Sequence, residues 1–330
     1  MDALAGLLEG PKARGAFLLK SVFDPPWSLR VEDRAPVSLV TMVRGEAWIV
    51  PDRAESVLLR PGDLAVLRGP DAYSIGDDPD TPNPITVGPD QRCGTEDGTD
   101  LTDTLCAGVR SWGGPAGEGS HVMLSGTYQQ PGEVGGRLLA TLPTVLVRRA
   151  GVDPSPLLGL LAREIVRDEI GQELVLDRLL DLLFVSVVRE WLAEARAGVP
   201  GWHQARSDAV VGPALRLLHE RPAAPWTVVA LAREVGVSRS SLARRFTDLV
   251  GEPPMAYLAS WRLTLAADLL REPEATVAGV ARRVGYGTPF ALSTAFKRVR
   301  GISPSEHREG APSAAPARPA HPPRTVVLDD

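Results

Sequence analysis

Cysteine and histidine are scarce in this chain, and their scarcity excludes several kinds of site. Cys93 and Cys106 are the only cysteines among the 330 residues, too few for a disulfide scaffold or a cysteine-based zinc site. A metal site built from about three imidazoles and a carboxylate cannot form in the first part of the chain, because His121 is the only histidine before residue 203. We therefore predict no metal ion, no cofactor and no catalytic residue.

Long apolar runs and phosphate-binding motifs are also missing. The opening segment MDALAGLLEGPKARG lacks the basic start and apolar core of a secretory signal, and no apolar run has the length of a membrane span. The chain contains neither a Gly-rich nucleotide loop nor a nucleophile motif. These absences predict a cytoplasmic protein that has no membrane partner and is not an enzyme.

The formal charge is divided unevenly along the sequence. The whole chain carries a net charge of -5, but residues 203–310 hold 15 Lys and Arg against 10 Asp and Glu, a net of +5. Residues 1–202 hold 19 against 29, a net of -10. Because phosphate attracts basic surfaces, the second part of the chain is the candidate for contact with nucleic acid.

The first part of the chain has the pattern of a strand-rich domain. Short β-branched or apolar runs such as VSLVTMV, AWIV and LAVLR alternate with Gly, Pro and Asp from about Ala16 to Tyr128. This spacing predicts a β-sandwich or barrel. Pro61, Gly62 and Asp63 predict a turn of the hairpin kind between two such runs, and the stretch from Thr81 to Gly119 predicts long loops.

A helical pattern follows at residues 153–198. Asp153 and Pro154 are suited to the start of a first helix, and the run LVLDRLLDLLFVSVVREWLAEAR predicts a second helix that is apolar on more than one side. Such a helix either lies in a core or meets a second copy of itself. We interpret the segment as a dimerisation element, followed by a linker at 199–206 that contains Pro200 and Gly201.

A repeat near the carboxyl end carries most of the functional argument. The segment TVVALAREVGVSRSSLARRFTDLVGEPP recurs as TVAGVARRVGYGTPFALSTAFKRVRGISP, with one inserted residue after the glycine. The matched positions are Thr227, Val228, Ala232, Arg233, Val235, Gly236, Phe246, Gly251 and Pro254, and Thr276, Val277, Ala281, Arg282, Val284, Gly285, Phe296, Gly301 and Pro304.

Each copy has the signals of a helix-turn-helix unit. A Thr caps the first helix, a Gly ends it in a tight turn, and Ser238 or Thr288 caps the second helix. The second helices have buried sides formed by Leu242, Phe246 and Leu249, and by Leu292, Phe296 and Val299. The run PMAYLASWRLTLAADLLRE predicts a long helix that joins the two units.

The region resembles the AraC/XylS-type DNA-binding domain over about a hundred residues. The segment VGYGTPFALSTAFKRVRGISPSEHR follows that family's C-terminal signature, and the runs RGEAWIV, LRPGDLAVL and GPDAYSIGD look like a cupin-type sensor. Tyr73 stands where a cupin's metal-binding strand has histidine. The expected fold is α+β and multidomain: a cupin-like β-barrel or sandwich at 1–152, the helical segment at 153–198, an all-α domain with two helix-turn-helix motifs at 207–310, and a disordered tail at 311–330.

The helical period predicts which side chains meet DNA, because positions opposite the buried stripe point outward. In the first unit they are Arg239, Ser240, Ala243, Arg244 and Thr247, and the family motif agrees at Ser240, Ala243 and Arg244. In the second they are Pro289, Phe290, Ser293, Thr294, Lys297 and Arg298. Arg244 is suited either to guanine or to phosphate, whereas Lys297, Arg298 and Arg300 are expected to hold the DNA backbone. The alternative is that Arg244, Arg245, Lys297 and Arg298 are only a solvated surface.

The two cysteines allow two interpretations. Cys93 lies in the polar run PDQRCGTEDG and is expected to be exposed, whereas Cys106 lies in the apolar run LCAGV. Either both are unreactive, or Cys93 oxidises and pairs with Cys106 as a redox switch.

The resemblance implies a regulator of transcription, often an activator, that binds double-stranded DNA. The expected partners are RNA polymerase, a small-molecule effector and a second copy of the chain. Two alternatives stay open, namely a cupin-type enzyme with an appended helical domain and a ligand-insensitive repressor. A bound metal would favour the first, and DNA affinity that no metabolite changes would favour the second.

Overall fold

A computed structural model describes residues 17–95, 97–108, 110–114, 119–128, 132–151, 155–194, 205, 207–272 and 274–309. The described residues form two compact units. One contains the strands and the helical segment as far as Val187, and the other contains the residues from Val188 onward together with a short helix from between two strands. Asp153, Pro154, the predicted linker at 199–206 except for residue 205, and the predicted tail lie outside the described residues.

Thirteen strands are described in the strand-rich unit. They are β1 (Phe17–Phe23), β2 (Ser28–Val31), β3 (Val37–Arg44), β4 (Ala47–Pro51), β5 (Val57–Leu59), β6 (Leu64–Arg68), β7 (Tyr73–Gly76), β8 (Ile85–Val87), β9 (Cys93–Thr95), β10 (Cys106–Gly108), β11 (Ser111–Gly113), β12 (His121–Tyr128) and β13 (Val145–Arg148). One sheet has the order β10-β11-β1-β12-β3-β6-β13 and the other β5-β4-β7-β2-β8-β9. Apolar side chains from both sheets form one core, which confirms the predicted sandwich.

Two expectations for this unit need correction. Asp63 and Arg60 do close a turn at Gly62, but β5 pairs with β4 and β6 pairs with β3 and β13, so the turn connects two sheets and is not a hairpin. The stretch from Thr81 to Gly119 holds β8 to β11, each of three residues, where long loops were expected. Strands this short leave no periodic signal in the sequence.

Three helices come from the middle of the chain: α1 (Gly132–Leu139), α2 (Pro156–Glu164) and α3 (Gln172–Glu194). Leu180 of α3 lies so close to Gly126 of β12 that a side chain at the glycine would collide with it. The Tyr128 hydroxyl donates a hydrogen bond to Asp181 (3.2 Å), and its ring packs on Phe184. This side of α3 therefore lies in a core, which accounts for most of its apolar residues and explains why the first six residues of β3 are buried on both faces.

The second unit is helical. Its further helices are α4 (Val211–Glu220), α5 (Val228–Glu234), α6 (Arg239–Val250), α7 (Pro254–Leu269), α8 (Val277–Val284), α9 (Pro289–Arg300) and α10 (Pro304–Glu309). Two clusters of buried side chains occupy it, one around Phe246 and Trp261 and the other around Phe296 and Val280. The long helix α7 contributes to both, as the sequence predicted. Among the described residues, no helix has the length and apolar character that crossing a bilayer requires.

Candidate nucleic-acid interface and sensor cavity

The helix-turn-helix geometry is present twice in the helical unit. Thr227 caps α5 by accepting a hydrogen bond from the Ala230 amide (3.1 Å), and Thr276 caps α8 by accepting one from the Gly279 amide (3.0 Å). Gly236 and Gly285 follow these helices with φ of +73° and +85°, the left-handed conformation that glycine adopts without strain. The predicted cap and turn positions are confirmed.

The second helix of each unit begins at the second predicted cap. The hydroxyl of Ser238 accepts from the Ser241 amide (3.2 Å), and the hydroxyl of Thr288 accepts from the Ala291 amide (3.1 Å). Each cap fixes the first turn of α6 or α9, the part of a recognition helix that enters a groove.

The outward face of α6 contains the residues that the helical period predicted. Leu242 and Phe246 are fully buried, whereas Arg239, Ser240 and Arg244 are exposed. The other residues of this helix that were predicted to contact DNA, Ala243 and Thr247, are half-buried. The Thr247 hydroxyl donates to the Ala243 carbonyl (2.8 Å), so one of its hydrogen-bonding capacities is already used within the helix.

The corresponding face of α9 has an aromatic side chain in its first turn. Phe290 is 80% exposed, beside the exposed Pro289. Thr294, Lys297 and Arg298 are exposed and Ser293 is half-buried.

One buried position of α9 was predicted wrongly. Leu292 and Phe296 are fully buried, but Val299 is 60% exposed. Val299 lies in the last turn before Gly301, where α9 extends beyond the core that buries its first two turns. Periodicity gives the buried direction of a helix and does not give the length of the core that it meets.

The basic side chains of this unit differ in whether they have partners within the protein. Arg245, next to Arg244, is held by Asp208 at 2.8 Å. Arg262 donates to the backbone carbonyls of Pro222 and Ala224 at 2.7 and 2.8 Å. Within the described ranges, the structure shows no ion pair for the outward cations, which are Arg239, Arg244, Lys297 and Arg298.

Two adjoining cavities lie in the described part of the strand-rich unit. The inner one, of about 60 Å³, lies between the two sheets and is lined mainly by apolar residues such as Leu29, Ile75 and Met123. The outer one, of about 160 Å³, shares five lining residues with it, among them Cys93 and Trp112. Its remaining wall is polar and includes Arg92, Asp100, Cys106 and Arg110.

Two donors in the cavity walls have no acceptor in the described structure. The indole N–H of Trp112, a residue that is 4% exposed, makes no hydrogen bond, and neither does the buried Nε of Arg110. An unpaired buried donor is unfavourable by about 1–3 kcal/mol. Arg110 and Gln91 also have φ of +47° and +62°, a conformation that non-glycine residues seldom adopt.

The cysteines exchange their expected environments. Cys93 opens β9, which pairs with β8, and is buried in the core between the sheets, whereas Cys106 opens the edge strand β10 and is exposed. Burial, together with Asp100 and Asp90, raises the pKa of the Cys93 thiol to about 11. Both thiols are free, and their pairing stays a prediction.

Tyr73, which stands where a cupin's metal-binding strand has histidine, is a core residue. The side chain is buried, and burial together with the charge of Asp33 raises the pKa of its phenol. The described residues include no group of three or more His, Cys, Asp or Glu that could hold a metal ion.

Comparison with known proteins relates the strand-rich part and the helical part of the chain to two known domain families. The cupin family model matches residues 2–193, and a helix-turn-helix domain model matches residues 231–310. An AraC-like transcription regulator of Streptomyces lividans is 33% identical over 315 residues, covering 94% of this chain and 98% of the relative.

This chain belongs to the AraC family of transcriptional regulators. A relative from Streptomyces antibioticus is 33% identical over 94% of this chain, and the regulator AlkR of Acinetobacter baylyi is 36% identical over 45% of it. Among solved structures, the DNA-binding domain of AdpA in complex with a target DNA is 32% identical, covers 31% of this chain and 91% of its own, and has a TM-score of 0.29. AraC-type helix-turn-helix domains bind DNA, so the duplicated motif is the DNA-binding part of this regulator.

Proposed function

We propose that this AraC-family regulator reads a bipartite DNA site by placing α6 and α9 in successive major grooves. The observation that carries the proposal is the pair of capped helices α6 and α9, each with a buried stripe on one side and, on the other, exposed cations for which the described residues provide no ion-pair partner. An α-helix fits the major groove of B-DNA, and two units joined by one helix suit two adjacent grooves.

The two helices have different chemical means of recognition. Arg244 offers a guanidinium suited to two hydrogen bonds with guanine, in the middle of the exposed face of α6. On α9, Phe290 is suited to a thymine methyl group and Thr294 to a polar base edge, while Lys297 and Arg298 are suited to phosphate. The first unit therefore contributes more to base discrimination in this proposal.

The test begins with sequencing of the DNA fragments that the full chain retains from a random pool. Arg244→Ala is then expected to weaken binding by about 1–3 kcal/mol and to relax the preference at one base pair. Lys297→Ala is expected to weaken binding to all sequences alike and to reduce the salt dependence. Arg245→Ala is the matched control, because it removes the same charge from a neighbour that Asp208 already holds. A changed base preference in Lys297→Ala, or equal effects of Arg244→Ala and Arg245→Ala, would contradict the proposal.

We further propose that the cavities hold a small effector with an apolar body and a carboxylate or carbonyl oxygen. The apolar lining of the inner cavity suits the body, and the unpaired Trp112 and Arg110 donors suit the oxygen. Satisfying these donors would remove the desolvation penalty that they bear without a ligand.

A panel of aliphatic and aromatic carboxylic acids tests this chemistry, each beside the hydrocarbon of the same shape. Acids of the right size are expected to raise the melting temperature of the chain and to change its DNA affinity, and Trp112→Phe should weaken both effects. Trp48→Phe, in the other sheet and outside both cavity linings, is the control. Equal responses to acids and hydrocarbons would exclude the proposed role of the donors.

A redox signal is the second candidate for the sensor. Cys93 and Cys106 both line the outer cavity, which favours their pairing, whereas the raised pKa of Cys93 makes it a slow nucleophile. An unchanged transcriptional response to oxidants in Cys93→Ser would remove this candidate.

The remaining expectations concern assembly and output. Exposed apolar side chains lie on α2, α3 and the segment between them, and they support a homodimer; they are Leu160, Val166, Ile170, Leu174, Val175 and Leu182. Sedimentation of wild type and Leu174→Arg tests this face. We also propose that the protein acts in the cytoplasm, not as an enzyme but as an activator that contacts RNA polymerase, which family membership supports and in vitro transcription tests.

A further inference from the structure

Helix α1 belongs to the helical unit although the chain places it between β12 and β13. Its first amides, those of Glu133 and Val134, donate to the two carboxylate oxygens of Asp268 in α7, at 2.6 and 2.9 Å. Val134 is 4% exposed and belongs to the core of the first helix-turn-helix unit. Two charge-assisted hydrogen bonds and a buried side chain thus fix α1 to the helix that joins the units.

The side chain of Glu133 reaches the second unit. Its carboxylate pairs with Arg300, at the end of α9, through contacts of 2.9 and 3.2 Å, and lies 4.0 Å from Arg271. Burial raises the pKa of Glu133, but the hydrogen bonds and charge of Arg300, with the charge of Arg271, outweigh it and hold the pKa below its usual value. Arg300 therefore has a partner here and differs from the exposed Lys297 and Arg298.

The position of Arg300 on α9 shows what this ion pair does. Arg300 follows Phe296 by four residues, and its guanidinium lies 5.4 Å from the centre of the Phe296 ring. The ion pair between Arg300 and Glu133 is therefore on the core side of α9. Glu133 consequently does not cover the predicted DNA-reading face. It connects α9 to α1, while Val134 connects α1 to the core of the other unit.

The two helix-turn-helix units need such a connection, because their buried residues form separate clusters. The relative orientation of α6 and α9 depends on α7 and on whatever else contacts both units. A helix that contacts α7, the first core and the end of α9 restrains that orientation.

We propose that α1 is a clamp that fixes the relative orientation of the two recognition helices. The inference rests on the proposed reading of DNA by both units.

The clamp is tested with the full chain and duplexes of altered half-site spacing. One inserted base pair rotates one half-site against the other by about a tenth of a turn. Wild type is expected to lose about tenfold in affinity, equivalent to about 1.4 kcal/mol, for the duplex with the insertion. In Glu133→Lys the loss should fall to about twofold, with affinity for the first half-site alone unchanged, because the units then reorient more freely.

Three further variants sharpen the test. The double variant Glu133→Lys with Arg300→Glu should restore the spacing penalty, and Glu133→Gln should reduce it less than Glu133→Lys does. Glu274→Lys makes the same charge change at an exposed residue of the same unit and should leave the spacing penalty unchanged. A spacing penalty that Glu133→Lys leaves unchanged, or that the double variant does not restore, overturns the clamp.

Amide hydrogen exchange gives a second readout that needs no DNA. Exchange in α1 and in the last turn of α9 is expected to rise in Glu133→Lys and to return in the double variant. Unchanged protection overturns the clamp even when no duplex binds, whereas failure of wild type to bind any duplex refutes only the proposed reading of DNA.

Discussion

The glycines that end the first helices of the two units offer a matched test of the tertiary structure. Gly236 and Gly285 occupy equivalent places in the repeat and both have positive φ. An alanine at either position adopts the left-handed conformation at a cost of about 1–2 kcal/mol. Sequence alone therefore predicts the same loss for Gly236→Ala and Gly285→Ala.

The surroundings of the two glycines differ. A Cβ at Gly236 meets nothing within 4 Å, but at Gly285 it would lie 2.7 Å from the Ala223 Cα, 2.9 Å from the Ala223 carbonyl oxygen and 2.9 Å from the Arg262 guanidinium. Arg262 cannot retreat without losing its hydrogen bonds to Pro222 and Ala224. Overpacking of this kind adds about 1–3 kcal/mol, so Gly285→Ala is expected to lose about twice as much stability as Gly236→Ala.

Urea unfolding followed by far-ultraviolet circular dichroism measures both losses, and amide exchange assigns them to the helical unit. Valine at the two positions is expected to widen the difference, because the strain of positive φ is common to both while the larger side chain finds open space only at Gly236. Equal losses for the two alanine variants, or a larger loss at Gly236, would refute the reasoning from packing.

Three further predictions concern single groups. Acidification should destabilise the helical unit of wild type more than that of Glu133→Gln, and urea unfolding midpoints measured at several pH values compare the two. The reason is that a carboxylate whose pKa is lowered by folding stabilises the folded state at pH values above its unfolded pKa. This stability is lost as the pH falls through the folded pKa. Alkylation of the native chain, followed by mass spectrometry, should label Cys106 at neutral pH and Cys93 only as the pH approaches about 11; rapid labelling of Cys93 at neutral pH would contradict its burial. Ser238→Ala should reduce the stability of the helical unit by about 1 kcal/mol and Ser238→Gly by only a few tenths, and thermal unfolding compares them.

Much of the helical unit was predictable because its signals are local. Caps, turn glycines and a buried stripe act within a few residues, and the repeat shows each of them twice. The strand-rich unit was less accessible, since the three-residue strands β8 to β11 have no period of their own. In addition, β8 is joined to its sheet by β2 and β11 by β1, and both partner strands lie far away in the sequence.

The sequence by itself determined the class of the fold, the family and the outward faces of α6 and α9, because a helix carries its own direction of burial in its period. Only the tertiary structure decided that Cys93 is buried, that Asp208 holds Arg245 while Arg244 stays exposed, and that α1 connects Asp268 with Arg300. Each of these depends on groups far apart in the chain, and local propensity contains no information about which distant segments meet.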